Sequence, residues 1–502
     1  MTYMRQVLTM VVYELNKNNK VAVVTPHGLT DRVDINKIVL QGEHLAPLEC
    51  SVQIDIFGKE CLDEKKYLFY YREAIPVPPL SMVDDLLCVS NCGVKSLLMN
   101  SFINTKSCIK KLQFGVEKCF KIHVGKNRVV CPSLKIDKWK KKEIAAPDNN
   151  SVEDIHEGYH TIQDSNEQKY LGDIISNNGK NDKNIAARVK KGLGTIQQIT
   201  NILEEIFFGK YYFHVAKILR ESLFINSILL NSEVWYRLTN TNIEDLEKLD
   251  NKLLRKILEV GQSVPTAFLH LELGTRPLRF IIKTRRIMFL QYILKEKESS
   301  LLSQFLTAQM EDPLSGDWWP TVKKDLEDLK LNLSLFEIRN MSKDKLKNLV
   351  NKAVESEAFS FLLEKQSKSD KVKNILYSQL ELQKHLSKPV LTIEQTKFLI
   401  AARAKMLYLR ANYPNMQYEQ FCPLCTSEGE KALDTQEHLL LCKQLNRNCT
   451  DIIESPIIYE DIFSENLEKQ AKASVILENR FKMRKKLLTQ EISQDNKSIV
   501  TM

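Results

Sequence analysis

The segment PLSMVDDLLCVSNCG, Pro79 to Gly93, decides how the first part of the chain is interpreted. Two adjacent aspartates, Asp84 and Asp85, stand between apolar residues that suit β-strands. Aspartate favours tight turns because its side chain bonds to nearby backbone groups and tolerates unusual dihedral angles. Carboxylates also bind divalent cations. The segment therefore predicts a β-hairpin, and it leaves open whether the aspartates form an ordinary turn or hold metal ions.

The residues around this hairpin predict a mixed region of strands and helix. The apolar runs VAVVTP and VDINKIVL predict strands joined by the turn-rich HGLTDR, and KYLFYY predicts a further strand. The apolar spacing in LECSVQIDIFGKECL predicts a helix between them. Residues 136–168 are polar and charged, which predicts a loop or a variable insertion.

From residue 183 onward, apolar residues recur at spacings of three and four, which predicts amphipathic helices. A second helix is predicted over 211–238, and a third begins at TNIEDLEKLD, where Thr241 and Glu244 form a capping-box pattern. Helical pattern continues to residue 400, with an interruption at EDPLSGDWWP, residues 311–320. The apolar face of the first helix consists of Ile185, Val189, Leu193, Ile196, Ile199, Leu203 and Ile206. That of the third consists of Leu246, Leu249, Leu253 and Ile257.

The bulk properties of the chain narrow its class. Its 502 residues, 43% apolar and 27% charged, suffice for a folded core, and the net charge of +9 suits an anionic partner without requiring one. Most of the 11 cysteines stand singly among apolar residues, which is typical of a reducing compartment. The chain has no signal-peptide pattern and no apolar run near the roughly 18 residues that span a bilayer. We expect a cytoplasmic or nuclear protein that is not secreted and has no membrane partner.

The most specific motif by spacing is Cys422-x2-Cys425-x12-His438-x3-Cys442. Zinc prefers four thiolate or imidazole ligands in a tetrahedron, and two residues four apart on a helix share one face. We expect His438 and Cys442 to lie on a short helix. Asp434 and Glu437, three residues apart, form the capping pair predicted at its N-terminus. The motif predicts a Zn²⁺ site with all four positions filled, which serves binding or structure because no position remains for an activated water.

A basic flank, AARAKMLYLR, precedes the zinc motif. Its cations, Arg403, Lys405 and Arg410, stand among apolar and aromatic residues, and this pattern suits a nucleic-acid backbone. A solvated helix face explains the same pattern equally well.

Further motifs occur in a fixed order around the paired aspartates. They are Gln41-Gly42 followed by Pro47-Leu48, Gly115-x2-Lys118, and Tyr170-Leu171-Gly172. In this order the chain resembles the reverse transcriptases of non-LTR (LINE-type) retrotransposons. The segments HLELGTRPLRFIIKTRRIMFL and DTQEHLLLC resemble that group as well. The ordered resemblance runs from about residue 20 to residue 445, and the order is more specific than any single motif.

The resemblance implies an RNA-directed DNA polymerase, a nucleotidyltransferase of a transposable element that uses Mg²⁺. It implies catalytic roles for Asp84, Asp85 and Lys118, with both aspartates as Mg²⁺ ligands. It implies template or substrate contacts for Gln41, Gly42, Tyr170, Leu171 and Gly172, of which the last three match the primer-grip turn. The implied partners are an RNA template, a DNA primer or target, and the element's RNA in a ribonucleoprotein.

The expected fold is therefore α+β, a partial reverse-transcriptase palm followed by a mostly α-helical thumb and connector and a small zinc knuckle. The expected boundaries are 1–135 for the palm, 136–182 for the variable loop and primer-grip segment, 183–295 for the thumb, 296–400 for the connector, 401–445 for the knuckle and 446–502 for a basic helical tail.

The resemblance also implies an earlier metal-binding aspartate upstream of Gln41. Asp31 and Asp34 are the only aspartates before Gln41, and they stand in a different context. A single carboxylate pair would hold two Mg²⁺ ions weakly, so we expect this chain to be a C-terminal portion of such an enzyme and inactive alone. The alternatives are a non-catalytic, zinc-dependent nucleic-acid-binding protein derived from such an element, and a helical scaffold in which zinc only stabilises the fold.

Overall fold

The computed structural model of the chain combines short β-hairpins with many α-helices, so the predicted α+β class is confirmed. It describes residues 20–21, 24–25, 28–31, 33–34, 46–65, 67–110, 112–125, 133–144, 151–205, 211–388, 390–413, 419–448, 459–464 and 466–500.

Within the described ranges the strands pair two by two, and the pair of β10 and β11 is the longest. They are β1 (Lys20–Val21), β2 (Val24–Thr25), β3 (Gly28–Leu29), β4 (Val33–Asp34), β5 (Phe69–Tyr71), β6 (Ile75–Val77), β7 (Leu80–Met82), β8 (Asp85–Leu87), β9 (Phe120–Ile122), β10 (Lys135–Ile144), β11 (Ser151–Thr161), β12 (Gln163–Ser165), β13 (Glu167–Tyr170) and β14 (Asp173–Ser176).

Helices dominate the chain after β14, and within the described ranges none is both long and apolar enough to cross a membrane. The α-helices are α1 (Ala46–Glu64), α2 (Gly93–Lys110), α3 (Asp182–Glu205), α4 (Tyr212–Leu219), α5 (Asn226–Ile228), α6 (Asn240–Leu258), α7 (Thr266–Leu273), α8 (Leu278–Lys295), α9 (Leu301–Glu311), α10 (Trp318–Asp328), α11 (Leu335–Asn340), α12 (Lys343–Ser367), α13 (Lys384–Ser387), α14 (Ile393–Arg403), α15 (Pro423–Thr426), α16 (Gln436–Leu441), α17 (Lys443–Asn448) and α18 (Leu467–Val500). A π-helical segment covers Arg220–Ile225, and 3-10 turns cover Val116–Lys118, Arg410–Asn412 and Tyr459–Phe463.

The chain divides into two compact bodies. The first contains the described residues up to Gln168 together with Asn177–Gly179 and Glu298–Ala308. The second contains Lys169–Ser176, Lys180–Lys297 and the described residues from Gln309 onward.

In the first body, α1 and α2 enclose a small apolar core. Met99, Phe102 and Ile103 of α2 are buried together with Cys61 of α1 and Leu68. The helix predicted from LECSVQIDIFGKECL is thus confirmed as α1. It also contacts β7, so the hairpin that carries the paired aspartates packs against α1.

The strands before α1 form two nested pairs. β1 pairs with β4, and β2 pairs with β3, both in antiparallel fashion. The predicted turn HGLTDR therefore contains a short strand of its own. The strand predicted over 33–40 is confirmed at Val33–Asp34, and its remaining residues lie outside the described ranges.

Residues 136–168 contain strands, so the prediction of a loop was wrong. β10 and β11 pair from Lys135 opposite Thr161 to Ile144 opposite Ser151. The register shifts after Lys138, where β11 contains an extra residue and Gly158 has a left-handed φ of 113°, as at a β-bulge. Both strands are rich in charged residues and lack a regular alternation of apolar and polar residues, from which strands are predicted.

The second body is built on α3 and α6, which pack against each other. The predicted inner face of α6 is confirmed, since Leu246, Leu249, Leu253 and Ile257 are all buried. Its capping box lies earlier than predicted, at Thr239 and Asn242. The Thr239 hydroxyl accepts a hydrogen bond from the Asn242 N–H at 3.1 Å. Thr241 lies inside the helix, where it cannot act as the cap.

The apolar face of α3 is confirmed in part. Gly192 shares the buried stripe because α6 approaches it closely, and a Cβ at this position would lie 2.4 Å from Leu249 Cδ2. Leu193 is consequently turned outward and is 43% exposed, against the prediction. Ile206 lies outside the described ranges. The other members of the predicted face are buried or half-buried, namely Ile185, Val189, Ile196, Ile199 and Leu203.

The second predicted helix ends at Ile228 rather than at residue 238, and its middle is π-helical. Within the π-helical segment, the buried Arg220 donates to both carboxylate oxygens of Asp250 on α6, at 2.8 and 2.5 Å. This pair joins the helix to the core of the second body.

A buried carboxylate, Glu272 near the end of α7, joins several distant parts of the second body. Its Oε1 accepts hydrogen bonds from Arg403 at 2.8 and 3.0 Å and from the Tyr377 hydroxyl at 2.7 Å. Its Oε2 lies 2.8 Å from His385 Nε2. Burial alone would raise the pKa of Glu272, but Arg403 and His385 outweigh burial and lower it to about 2. The carboxylate therefore remains charged inside the protein.

The residue that ends α7 must be a glycine. Gly274 has a left-handed φ of 58°, and a Cβ there would lie 2.1 Å from the carbonyl carbon of Glu381. The backbone of Gln383 donates to the carbonyl of Glu272 at 3.0 Å in the same place. Glycine is needed for both the dihedral angle and the close approach.

Replacing Arg403 with methionine should leave Glu272 buried without its strongest partner. We expect Arg403→Met to lower the free energy of unfolding by about 3–5 kcal/mol, the usual effect of breaking a buried ion pair. Chemical denaturation followed by circular dichroism measures this change. Glu364→Gln, which breaks an exposed pair with Lys368, is the matched control and should leave stability unchanged. Equal effects of the two variants would contradict the importance of Glu272.

His270 should make stability depend on pH. Burial lowers the pKa of His270 to about 4, and its Nδ1 lies 3.0 Å from the Thr275 hydroxyl. Between pH 6.5 and 4 the unfolded chain binds a proton at this residue and the folded chain does not, so stability should fall as the pH falls. The expected loss is roughly 3 kcal/mol.

Denaturation at pH 7 and at pH 4.5 tests this expectation. His270→Gln should lose part of the pH dependence, and replacement of His214, exposed on α4, should keep it. An identical pH dependence in His270→Gln and in the wild type would count against a neutral, buried His270.

Candidate functional site

The four predicted zinc ligands come together in the second body. Cys422 caps the N-terminus of α15 and Cys425 lies within that helix, whereas His438 lies in α16 and Cys442 directly follows it. Their ligand atoms all lie within 4.8 Å of one another, and the three cysteines are buried. Among the residues described, this is the one group of three or more such side chains that could hold a metal ion.

The distances between these ligand atoms are close to those around a tetrahedral ion. Cys425 Sγ lies 3.3 Å from His438 Nε2 and 3.6 Å from Cys442 Sγ. With zinc–sulfur bonds near 2.3 Å, a tetrahedron places neighbouring sulfurs about 3.8 Å apart. The cluster could therefore hold a metal ion such as zinc.

Backbone hydrogen bonds shape the turn that carries the first two ligands. The Cys422 N–H donates to the Ala432 carbonyl at 2.7 Å, and the Glu430 N–H donates to the Cys425 carbonyl at 2.9 Å. An isolated bridge pairs Phe421 with Leu433. These bonds close a short loop around the Cys-x2-Cys turn and point both sulfurs inward.

The thiols interact strongly with one another. Burial, together with the hydrogen bond to Cys442, raises the pKa of Cys425 to about 11. Hydrogen bonding from Cys422 lowers the pKa of Cys442 to about 3. A bound cation would stabilise all three as thiolates, because metal binding releases thiol protons.

Thr435, and not Asp434, caps α16. The Thr435 hydroxyl accepts from the His438 N–H at 3.0 Å, so the predicted capping pair of Asp434 and Glu437 is wrong. Asp434 is instead buried, where it accepts hydrogen bonds from the Arg410 N–H at 2.8 Å and from Arg484 at 2.6 Å.

The knuckle shares a core with the helices around it. Leu424, Leu439 and Leu440 belong to the same apolar cluster as residues of α14 and α18. Gln436 donates to the Ala402 carbonyl at 2.9 Å and accepts from the Tyr459 hydroxyl at 2.9 Å. The metal site is therefore an integral part of the second body.

The basic flank before the knuckle contains one buried arginine and one half-buried arginine. Arg403 is buried against Glu272, so both predictions for it, a nucleic-acid contact and a solvated face, were wrong. Arg410 is half-buried, and its guanidinium lies 3.4 Å from the Phe421 carbonyl. Lys405 is half-buried in a left-handed turn. The partner of Arg403 lies 131 residues away in sequence, so no local pattern could indicate it.

The paired aspartates lie on a hairpin, as predicted, but the turn is displaced by one residue. β7 and β8 pair with Met82 opposite Asp85, so the two-residue turn consists of Val83 and Asp84. Val83 has a left-handed φ of 57°, which is rare for a β-branched residue. Asp85 is the first residue of β8.

Both aspartate side chains are exposed. Within the described ranges neither has a hydrogen-bond or ion-pair partner, and no third Asp, Glu, His or Cys completes a metal cluster with them. Lys118 is exposed at the end of a 3-10 turn. The predicted template contacts Gln41 and Gly42 lie outside the described ranges. The structure thus adds no support for Mg²⁺ beyond the two carboxylates themselves.

The predicted primer-grip residues form the tight turn between β13 and β14. Leu171 and Gly172 have left-handed φ values of 45° and 89°, as in a two-residue hairpin turn. The turn is held against α3, because the buried Arg188 donates to the Gly172 carbonyl and to Asp173 Oδ1, both at 2.7 Å.

Asp173 is the centre of this anchor, and sequence reasoning missed it. It also accepts hydrogen bonds from Asn184 at 2.9 Å and from Asn231 at 2.8 Å. The one available signal was an arginine, Arg188, within the apolar stripe of α3, since a charged residue in such a stripe needs a buried partner.

Removal of zinc should destabilise the second body. We expect one equivalent of Zn²⁺ per chain, and chelation should lower the free energy of unfolding by about 4 kcal/mol when free zinc had been 1,000-fold above Kd. Elemental analysis and thermal unfolding measure both effects. Cys442→Ser should lose the metal, whereas Cys108→Ser, which changes an exposed thiol of the first body, should keep it. Equal zinc content in the two variants would show that the cluster is not the site.

No protein-family model matches the chain, and no curated protein matches it at a significant level.

Proposed function

We propose that this chain is a reverse-transcriptase protein of the non-LTR retrotransposon type, which binds an RNA template with a DNA primer and does not polymerise alone. The hairpin of Val83, Asp84 and Asp85 is the observation that carries the proposal. The proposal also draws on the order of motifs around that hairpin, on the anchored turn at Leu171 and Gly172, and on the metal cluster.

The hairpin is better explained by function than by folding. A left-handed backbone at a β-branched residue costs on the order of 1–3 kcal/mol, and Gly or Asn would adopt the same turn without this cost. The turn also leaves the carboxylates of Asp84 and Asp85 exposed to solvent, where a divalent cation can reach them.

The anchored turn supports contact with a primer strand. Leu171 is 44% exposed at the tip, while three side chains fix the adjoining Asp173. An exposed apolar residue on a rigid support suits contact with a sugar or a base, because little conformational freedom is lost on binding.

The lack of activity follows from the metal chemistry. Phosphoryl transfer by two Mg²⁺ ions needs ligands that clamp both the attacking and the leaving oxygen. In the described part of the chain only Asp84 and Asp85 are available at the hairpin. Such a site would bind Mg²⁺ too weakly to position a triphosphate.

The full chain should bind a primed RNA template without extending the primer. Fluorescence anisotropy with a labelled RNA–DNA hybrid should show saturable binding that weakens steeply as salt rises, because the contacts release counterions. Primer extension with Mg²⁺ and all four deoxynucleotides should yield no product. Terbium luminescence can report cation binding at the hairpin, and the signal should be lost in Asp84→Ala.

Asp63→Ala removes an exposed carboxylate of α1 and is the matched control, since it should leave the terbium signal intact. Robust synthesis abolished by Asp84→Ala would refute the predicted inactivity while supporting the polymerase lineage. Absence of binding to hybrid, RNA and DNA alike at low salt would refute the proposal itself.

The alternative, a non-catalytic, zinc-dependent nucleic-acid-binding protein derived from such an element, has less support from the knuckle surface. Lys443 lies 2.8 Å from Glu430, and Arg447 lies 3.1 Å from Glu428, so carboxylates already neutralise these exposed cations. This pairing favours a structural role for the metal. Gel shifts before and after chelation separate the two roles, provided that circular dichroism shows the helices intact.

A further inference from the structure

The helix α18 is hydrogen-bonded at both ends of α16, the helix that carries His438. Arg484 donates to Asp434, just before α16, at 2.6 Å. Arg480, one helical turn earlier on α18, donates to the Leu440 carbonyl in the last turn of α16 at 2.7 Å. Residues four apart share one face of a helix, so a single face of α18 holds the whole of α16.

Arg480 also spans the two helices on either side of Cys442. Besides the Leu440 carbonyl, the same Nη1 atom donates to Asn446 Oδ1 on α17 at 2.8 Å. The carbonyls in the last turn of a short helix lack partners within that helix, and a cation there is favoured by the helix dipole. One guanidinium therefore fixes the backbone on both sides of a metal ligand.

The charge of Arg480 requires an explanation of its own. Its side chain is almost completely buried, at 2% exposure, and within the described ranges no carboxylate forms an ion pair with it. Burying a charge without a compensating charge is costly. Arg484, by contrast, is paired with Asp434.

The metal cluster would carry a charge of opposite sign when it is loaded. Three thiolates, one neutral imidazole and Zn²⁺ carry a formal charge of −1, because three negative charges meet two positive ones. We propose that Arg480 is a positioning and charge-balancing residue of this metal site, so that the affinity for zinc depends on α18. The inference concerns the cluster alone and does not rest on the proposed polymerase lineage.

Zinc affinity of the full chain tests the inference. The dissociation constant is measured by competition with a chromophoric chelator, using Zn²⁺ itself as the probe. Arg480→Met keeps the length and loses the charge, and it should weaken binding 10- to 100-fold, as loss of supporting groups around metal ligands does. Arg480→Lys keeps the charge but loses the planar guanidinium with its several N–H donors. Its zinc dissociation constant should lie between those of Arg480→Met and the wild type. Arg447→Met, which changes an exposed arginine of α17, should bind as the wild type does.

Visible absorption of the Co²⁺-loaded protein separates the metal site from general stability. Arg480→Met should alter the intensity or position of the visible absorption bands of the tetrahedral Co²⁺ ion. A variant that is merely less stable should keep these bands unchanged. A zinc dissociation constant within about threefold of the wild type in Arg480→Met would overturn the inference, since supporting groups usually contribute tenfold or more. If that variant does not fold, Arg480→Lys decides, and an unchanged dissociation constant there would overturn it equally.

Discussion

The buried charge of Glu272 is the constraint on which the second body depends. A carboxylate without water must be compensated, and its partners come from separate segments, with Tyr377, His385 and Arg403 all reaching the same two oxygens. Arg403 then extends the connection to the carbonyl of Ile462 at 3.1 Å. Segments separated by more than a hundred residues are therefore obliged to fold together, and the positions of α7, α13 and α14 are determined jointly.

The metal-ligand cluster belongs to the same network. Its helix α16 is bonded through Gln436 to the carbonyl next to Arg403, and through Asp434 to α18. A metal site built in this way acts on the structure of the whole helical body. This distinguishes it from a knuckle on a flexible linker, whose metal would organise only its own short loop.

Local chemistry predicted part of this structure well. The inner face of α6 follows from apolar spacing, and the metal cluster follows from ligand spacing, because each signal lies within a short continuous stretch of sequence. The pair of strands β10 and β11 was not predicted because their sequence is rich in charged residues and has no regular apolar alternation. The burial of Arg403 and the anchor at Asp173 escaped because their partners lie far away in sequence, where periodicity carries no information.

The contacts of α18 also limit how this part of the chain can change its length. The helix is fixed near its start, where Gln470 donates to the Ile462 carbonyl at 3.0 Å, and again at Arg480 and Arg484. Each inserted or deleted residue rotates the later part of a helix by about 100°. One insertion between Gln470 and Arg480 would thus swing both guanidiniums away from α16 together. This stretch can accept many substitutions on its outer face. Insertions or deletions of single residues within it should be rare in evolution.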